Sequence, residues 1–164
     1  MRLHIPTSLR WSDLDAYGHV NNAQMFGLFE EARIHAFWAG GDGIADDHFP
    51  TRILEGGPDA KTFTLIAHQE IEYLEPIPYL RDPLDIQLWI GHLGGASLDI
   101  SYEVYSPIAR AGHEQVTQTL FCRASTTIVL VDAGSMKPRR LTDLEREAVA
   151  PYVETSVVFK KNRA

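Results

Sequence analysis

Residues 21 to 38 are the one long stretch of this chain with helical apolar spacing. From Phe63 onward the apolar residues recur every second position instead. One helix followed by a series of half-buried strands leaves few ways to close a core. Met25, Phe26, Phe29, Ala32, Ala36 and Phe37 fall on a single stripe of the helix, and Gly40-Gly41 supplies the left-handed turn that stops one. Four apolar runs follow: Phe63 to Leu74, Leu84 to Leu93, Leu98 to Tyr105 and Val116 to Val131. They are separated by turn chemistry at Glu75 to Pro83, Gly94-Gly95 and Pro107 to Gly112. These spacings predict an antiparallel meander. Leu98, Ile100, Tyr102 and Val104 alternate with Asp99, Ser101 and Glu103, which gives one apolar face and one wetter face. An apolar face needs a cover, and the helix is the only element long enough to provide it. The expected class is therefore α+β, a curved antiparallel sheet wrapped around one long central helix.

The flanks add smaller elements. Leu3 to Trp11 reads as a short extended start. Thr142 and Glu145 form a capping box for a second, shorter helix that Pro151 ends, and Thr155 to Phe159 is apolar enough for a final edge strand. At 164 residues, 45% hydrophobic and 23% charged, the chain suits one core, so a single domain over residues 1–164 is expected.

Charge and motifs exclude several chemistries. A net charge of −7 argues against a nucleic-acid partner, and the nearest thing to a basic cluster, Lys137, Arg139 and Arg140, is small. Cys122 is the single cysteine, so no internal disulfide forms and no oxidising compartment is indicated. The start lacks the apolar run of a signal peptide, and no run is long enough to span a bilayer; a soluble, cytoplasmic protein is expected. The segment Gly95-Ala96-Ser97-Leu98-Asp99 lacks the second glycine of a serine nucleophile elbow. His113-Glu114 is not continued to a zinc motif, the seven histidines have no ligand spacing, and there is no glycine loop for phosphate. No metal and no cofactor are expected.

What remains is the polar loop that leads into the long helix: Asp13, Asp15, Gly18, His19, Asn21 and Asn22. The first turn of a helix carries unpaired N–H groups and partial positive charge, a ready site for a developing oxyanion. A carboxylate beside it, at Asp15, could attack a carbonyl or activate water against it. The same residues also suit plain architecture. Asp and Asn are common helix caps, Gly18 permits a tight turn, and His19 can be satisfied within the loop.

The run Asp13-Leu14-Asp15-Ala16-Tyr17-Gly18-His19-Val20-Asn21-Asn22, followed by Glu30-Glu31-Ala32-Arg33, resembles the hot-dog fold thioesterases of the 4-hydroxybenzoyl-CoA and YbgC/FadM type. The likeness continues through Glu70-Ile71-Glu72-Tyr73-Leu74-Glu75-Pro76 and the hairpin from Gly91 to Tyr105, covering about residues 5 to 150. It implies a hot-dog fold and hydrolysis of an acyl-CoA, or acyl carrier protein, thioester. Asp15 matches the catalytic carboxylate, and Asn22 the position whose backbone N–H polarises the carbonyl. Gly18, His19 and Asn21 match the loop that shapes the substrate pocket, with His68 on a nearby strand. Glu30 matches a helix glutamate with a structural role. The resemblance implies a homodimer, or a tetramer, with each pocket at the subunit interface. CoA phosphates are expected at the rim near Arg123, Lys137, Arg139 or Arg140, because cations are few in this acidic chain. The Gly/Asp-rich segment from Gly40 to Asp59 is longer than in many members. Two alternatives stand beside this reading: an acyl-CoA or acyl carrier protein binding module without turnover, and a hot-dog hydratase. The hydratase pattern needs an Asp and a His five apart with an Asn-Pro, which this loop lacks.

Overall fold

The alternating runs form strands close to their expected bounds. In chain order the elements are β1 (Leu3–Thr7), a 3-10 turn (Trp11–Asp13), α1 (Asn22–Phe37), β2 (Thr62–Tyr73), β3 (Leu84–Leu93), β4 (Ser97–Tyr105), β5 (Leu120–Asp132), α2 (Asp143–Val149) and a second 3-10 turn (Ala150–Tyr152). The computed structural model describes residues 1–39, 50–108 and 117–160. The Gly40-Gly41 stop, the beginning of the fourth run at Val116 and most of the turn before it lie outside those residues. α1 in any case ends earlier, at Phe37, where Trp38 turns to extended backbone and donates its N–H to the Ile34 carbonyl.

The sheet is antiparallel and five-stranded, in the order β1-β3-β4-β5-β2. The meander expectation holds for β3, β4 and β5 and fails for β2, which pairs with β5 at the far edge. The reason lies in the linker from Leu74 to Pro83, whose prolines at 76, 78 and 83 cannot close a hairpin and instead carry the chain across the sheet. Thr155 to Phe159 forms no strand. It crosses the sheet as a strap, described below.

One face of the sheet packs against α1. Met25, Leu28, Phe29, Ala32, Ala36 and Phe37 are buried together with Leu88, Ile90, Ile100, Tyr102, Cys122 and Ile128. The Phe29 and Tyr102 rings meet at 4.7 Å between centroids. Each such large side chain contributes roughly 1.5–3 kcal/mol on burial, so this face dominates stability. The helices are short, sixteen residues in α1 and seven in α2, so the fold is an antiparallel five-stranded sheet with few helices and not the expected one long central helix wrapped by sheet. Arg33, buried on the apolar stripe, donates to the Tyr102 hydroxyl at 3.3 Å.

The opposite face carries Trp89, Ser101, Glu103, Arg123 and Glu72, and residues 153 to 160 cross it. Glu154 N–H donates to the Ile90 carbonyl, the Trp89 indole N–H to the Thr155 carbonyl, and Val157 N–H to Ser101 Oγ. Lys160 N–H reaches Glu72 Oε1 at 2.9 Å. Gly91 makes room for this strap: a Cβ there would stand 2.7 Å from Ser156 Oγ and 3.1 Å from Ser156 Cα.

Candidate active site

The two aspartates of the polar loop have different surroundings. Asp13 is 1% exposed, and its carboxylate accepts from Arg10 N–H at 2.7 Å and from the Arg10 guanidinium at 3.0 Å. It holds the 3-10 turn, and its carbonyl accepts from Asn21 N–H at 2.8 Å, which fixes the entry to α1. Asp15 is half-buried. Its Oδ1 accepts from Tyr17 N–H at 2.8 Å and His19 N–H at 3.1 Å, while its own N–H donates to the His19 carbonyl. Gly18, at φ +79°, supplies the left-handed residue that lets the loop fold back on Asp15. Oδ2 makes no hydrogen bond among the described residues.

Asp15 is not the helix cap. Asn21 is: its side chain accepts from Ala23 N–H at 2.8 Å. Asn22 opens the helix, and its backbone N–H has no partner among the described residues. Its carbonyl accepts from the Tyr73 hydroxyl at 2.9 Å, which ties the end of β2 to the first turn of α1. Burial holds the Tyr73 phenol above its ordinary pKa, so it remains a donor at neutral pH.

Asp15 and Asn22 meet in one cleft of about 370 Å³. His19, Val20 and Met25 complete one wall, and residues 73 to 77, Tyr73-Leu74-Glu75-Pro76-Ile77, form the other. Val20 N–H donates to the Ile77 carbonyl, and His19 bridges Pro78, so the walls are joined by backbone. Of the expected site residues, Asp15, His19 and Asn22 line this cleft, while Gly18 and Asn21 do not. His68 and Arg123 do not line it. His68 lies exposed on the edge strand β2. Arg123 points to the strap side, 3.3 Å from Glu103 and 3.8 Å from Glu72. Arg139 is bound by Glu145 and Thr62, and so stands at the opposite end of β2 from Tyr73, about 36 Å along the strand. A second hollow, of about 440 Å³, lies near that end and includes Glu30, Arg33 and Trp38.

Sequence reasoning left out the cleft's second wall. Tyr73, Glu75 and Ile77 belong to the Glu70 to Pro76 motif and its next residue, which are visible in the sequence. Their approach to Asp15 depends on the placement of β2, which is not. Cys122, beside Tyr73 in the ladder, is fully buried, and burial pushes its thiol up to about 12, which rules it out as a nucleophile. Among the described residues no group of His, Cys, Asp and Glu is arranged to hold a metal, and no helix is long and apolar enough to cross a membrane.

Residues 9–151 match the family model described as "Thioesterase-like superfamily". The chain belongs to that superfamily. Among curated proteins, the thioesterase-like chain is 30% identical over 96 residues to the uncharacterized protein YsmA of Bacillus subtilis. That match takes in 58% of this chain and spans about half, 55%, of the relative's length. Among solved structures, a predicted thioesterase from Bacillus stearothermophilus superposes with a TM-score of 0.69 at 18% identity, covering 96% of this chain and 100% of that one. A thioesterase from Thermus thermophilus, complexed with coenzyme A and Zn, superposes with a TM-score of 0.60 at 24% identity, covering 92% of each chain. At these identities the superpositions show the hot-dog fold.

Proposed function

We propose that this thioesterase-like protein hydrolyses an acyl-CoA thioester to a free carboxylic acid and CoA at the Asp15 cleft. The observation that carries the proposal is the pairing of Asp15 with the free N–H of Asn22 in one cleft. A thioester carbonyl oxygen seated on that N–H lies at the positive end of α1, where charge developing on the oxygen is stabilised. Asp15 Oδ1 is held by two loop N–H groups, so Oδ2 is the oxygen that attacks the carbonyl carbon or takes a proton from the attacking water. The C–S bond then breaks, and the sulfur leaves as a thiolate. After direct attack the acyl group is left as a mixed anhydride on Asp15, which water hydrolyses to the free acid and the restored carboxylate, whereas attack by water gives the free acid directly. A thiol pKa of about 8.5 lets the sulfur depart without a strong general acid. The Thermus relative crystallised with coenzyme A supports CoA as the carrier.

We also propose that the working unit is a homodimer built along β2. That strand is a sheet edge, and it exposes Leu65 and Ile66 at 44% and 45%. A monomeric mass by light scattering at micromolar concentration would exclude it. A hydrolysis screen over short, long and aromatic acyl-CoAs tests the activity. Turnover of at least one class is expected, and no turnover of any class would remove the enzyme reading in favour of a binding module.

A further inference from the structure

Trp11 and Tyr79 stack with their ring centroids 4.5 Å apart and their planes at 16°. Trp11 is nonetheless 74% exposed, so much of its surface outside the stack is open to solvent. Scattered exposed aromatics are ordinary, but a parallel stack with such an open member is a platform for another flat ring. Tyr17, 85% exposed in the Asp15 loop, belongs to the same stretch of chain.

The platform adjoins the Asp15 cleft. Trp11 begins the 3-10 turn that Asp13 holds, and Tyr79 stands two residues beyond Ile77 on the cleft wall, about 7 Å along the backbone. The contacts of His19 with Pro78 and of Val20 with Ile77 bind the two segments together. Arg81, two residues past Tyr79, is exposed and has no ion pair among the described residues. The other well-placed guanidinium groups are engaged: Arg2 and Arg123 by Glu103, and Arg139 by Glu145.

We infer that the Trp11–Tyr79 stack is the seat of the nucleotide of the thioester's carrier, with the adenine extending the stack and Arg81 facing its phosphates. The inference rests on the acyl-CoA reading above. It deepens that reading by assigning carrier recognition to one end of the cleft, away from Arg123, Lys137, Arg139 and Arg140. Stacking of a base on an aromatic side chain tolerates any ring orientation. It acts on binding rather than on the reacting carbon, so its loss raises KM and leaves kcat in place.

The test compares one acyl group on two carriers, CoA and N-acetylcysteamine, which lacks the nucleotide. Trp11→Ala should raise KM for the acyl-CoA by about 5- to 100-fold, keep kcat within two-fold, and leave kcat/KM for the truncated thioester unchanged. Trp11→Phe, which retains a stacking face, should recover most of the loss. An unchanged KM for acyl-CoA, or an equal loss on both carriers, overturns the inference. A fall in oligomer mass for Trp11→Ala also overturns it, because the surface would then belong to a second copy of the chain. If the wild type hydrolyses no thioester, the activity proposal fails alone. The platform is then decided by titrating 3′-phospho-ADP against tryptophan fluorescence. Saturable quenching in wild type that vanishes in Trp11→Ala supports it, and no quenching up to millimolar nucleotide overturns it.

Discussion

Replacing Asp15 with asparagine separates architecture from chemistry, because the structure fixes what each would lose. Oδ1 accepts two loop N–H groups at 2.8 and 3.1 Å, and an asparagine keeps an oxygen in that place. Only the charge is removed. Hydrogen bonds to charged groups contribute about 1.5–3 kcal/mol against about 1 kcal/mol for neutral ones. After discounting for the half-exposed setting, the loop weakens by about 1 kcal/mol, and Tm falls by about 2–4 °C in a chain of this size. α1 itself is untouched, since Asn21 caps it. The chemical loss is larger. An amide cannot attack or accept a proton, and removing such a group slows the reaction by about 10²- to 10⁴-fold, equivalent to ~2.7–5.5 kcal/mol of barrier. Thiol release from an acyl-CoA, read with a chromogenic disulfide, measures the rate, and circular dichroism measures the melt. A variant that retains activity within a few-fold, with a melt shifted by no more than these few degrees, would refute the catalytic role and leave Asp15 as a loop-closing residue.

Gly91→Ala should destabilise the fold by about 1–3 kcal/mol in denaturant titration, because the added methyl would meet the Ser156 backbone at 3.1 Å and push the strap outward. Cys122, with its thiol raised to about 12 by burial, should resist iodoacetamide at pH 8 in the native protein and react once the protein is unfolded, as read by mass. Because the folded value lies above the ordinary 9.0, its contribution to stability is complete below pH 9 and is lost between pH 9 and 12. The hydrogen bonds from Arg139 hold the Glu145 carboxyl below its ordinary 4.5, so its contribution is present above that pH and disappears as the pH falls through the folded value. Glu145→Gln should therefore lower Tm at pH 7 and flatten the loss of Tm on acidification below pH 4.5.

The strand and helix bounds were legible because period and punctuation agree. Leu84–Leu93 is the expected run to the residue, and the Thr142–Glu145 capping box starts α2 where it should. The position of β2 in the sheet was not legible. Local spacing favours neighbouring strands, and only the long-range ladder from Thr62–Asp132 to Tyr73–Cys122 places β2 beside β5. That same pairing brings Tyr73 and Glu75 opposite Asp15, so the cleft's second wall was hidden with it. The first wall was visible as a cluster of polar types, but its division of labour was not. Asp13 and Asp15 look alike in sequence, and only the Arg10 contact and near-complete burial of Asp13 show which carboxylate is structural. The apolar Thr155 to Phe159 segment has the composition of a strand without forming one, because burial of its side chains does not require a ladder partner.

That strap gives the two faces of the sheet unequal resistance to thermal fluctuation. The α1 side is closed by a continuous apolar cluster and opens only with the whole domain. The other side is closed by a segment whose N–H groups hang on a serine hydroxyl, a carboxylate and one carbonyl, so it can lift without breaking a strand pair. Lifting wets Trp89, which is 2% exposed beneath Arg2, and gives water to Glu72 Oε2, a buried oxygen with no hydrogen bond while the strap is down. In amide exchange, Glu154, Val157 and Lys160 should therefore exchange with deuterium as one early group, while the amides of β4 and β5 beneath them stay protected until global unfolding.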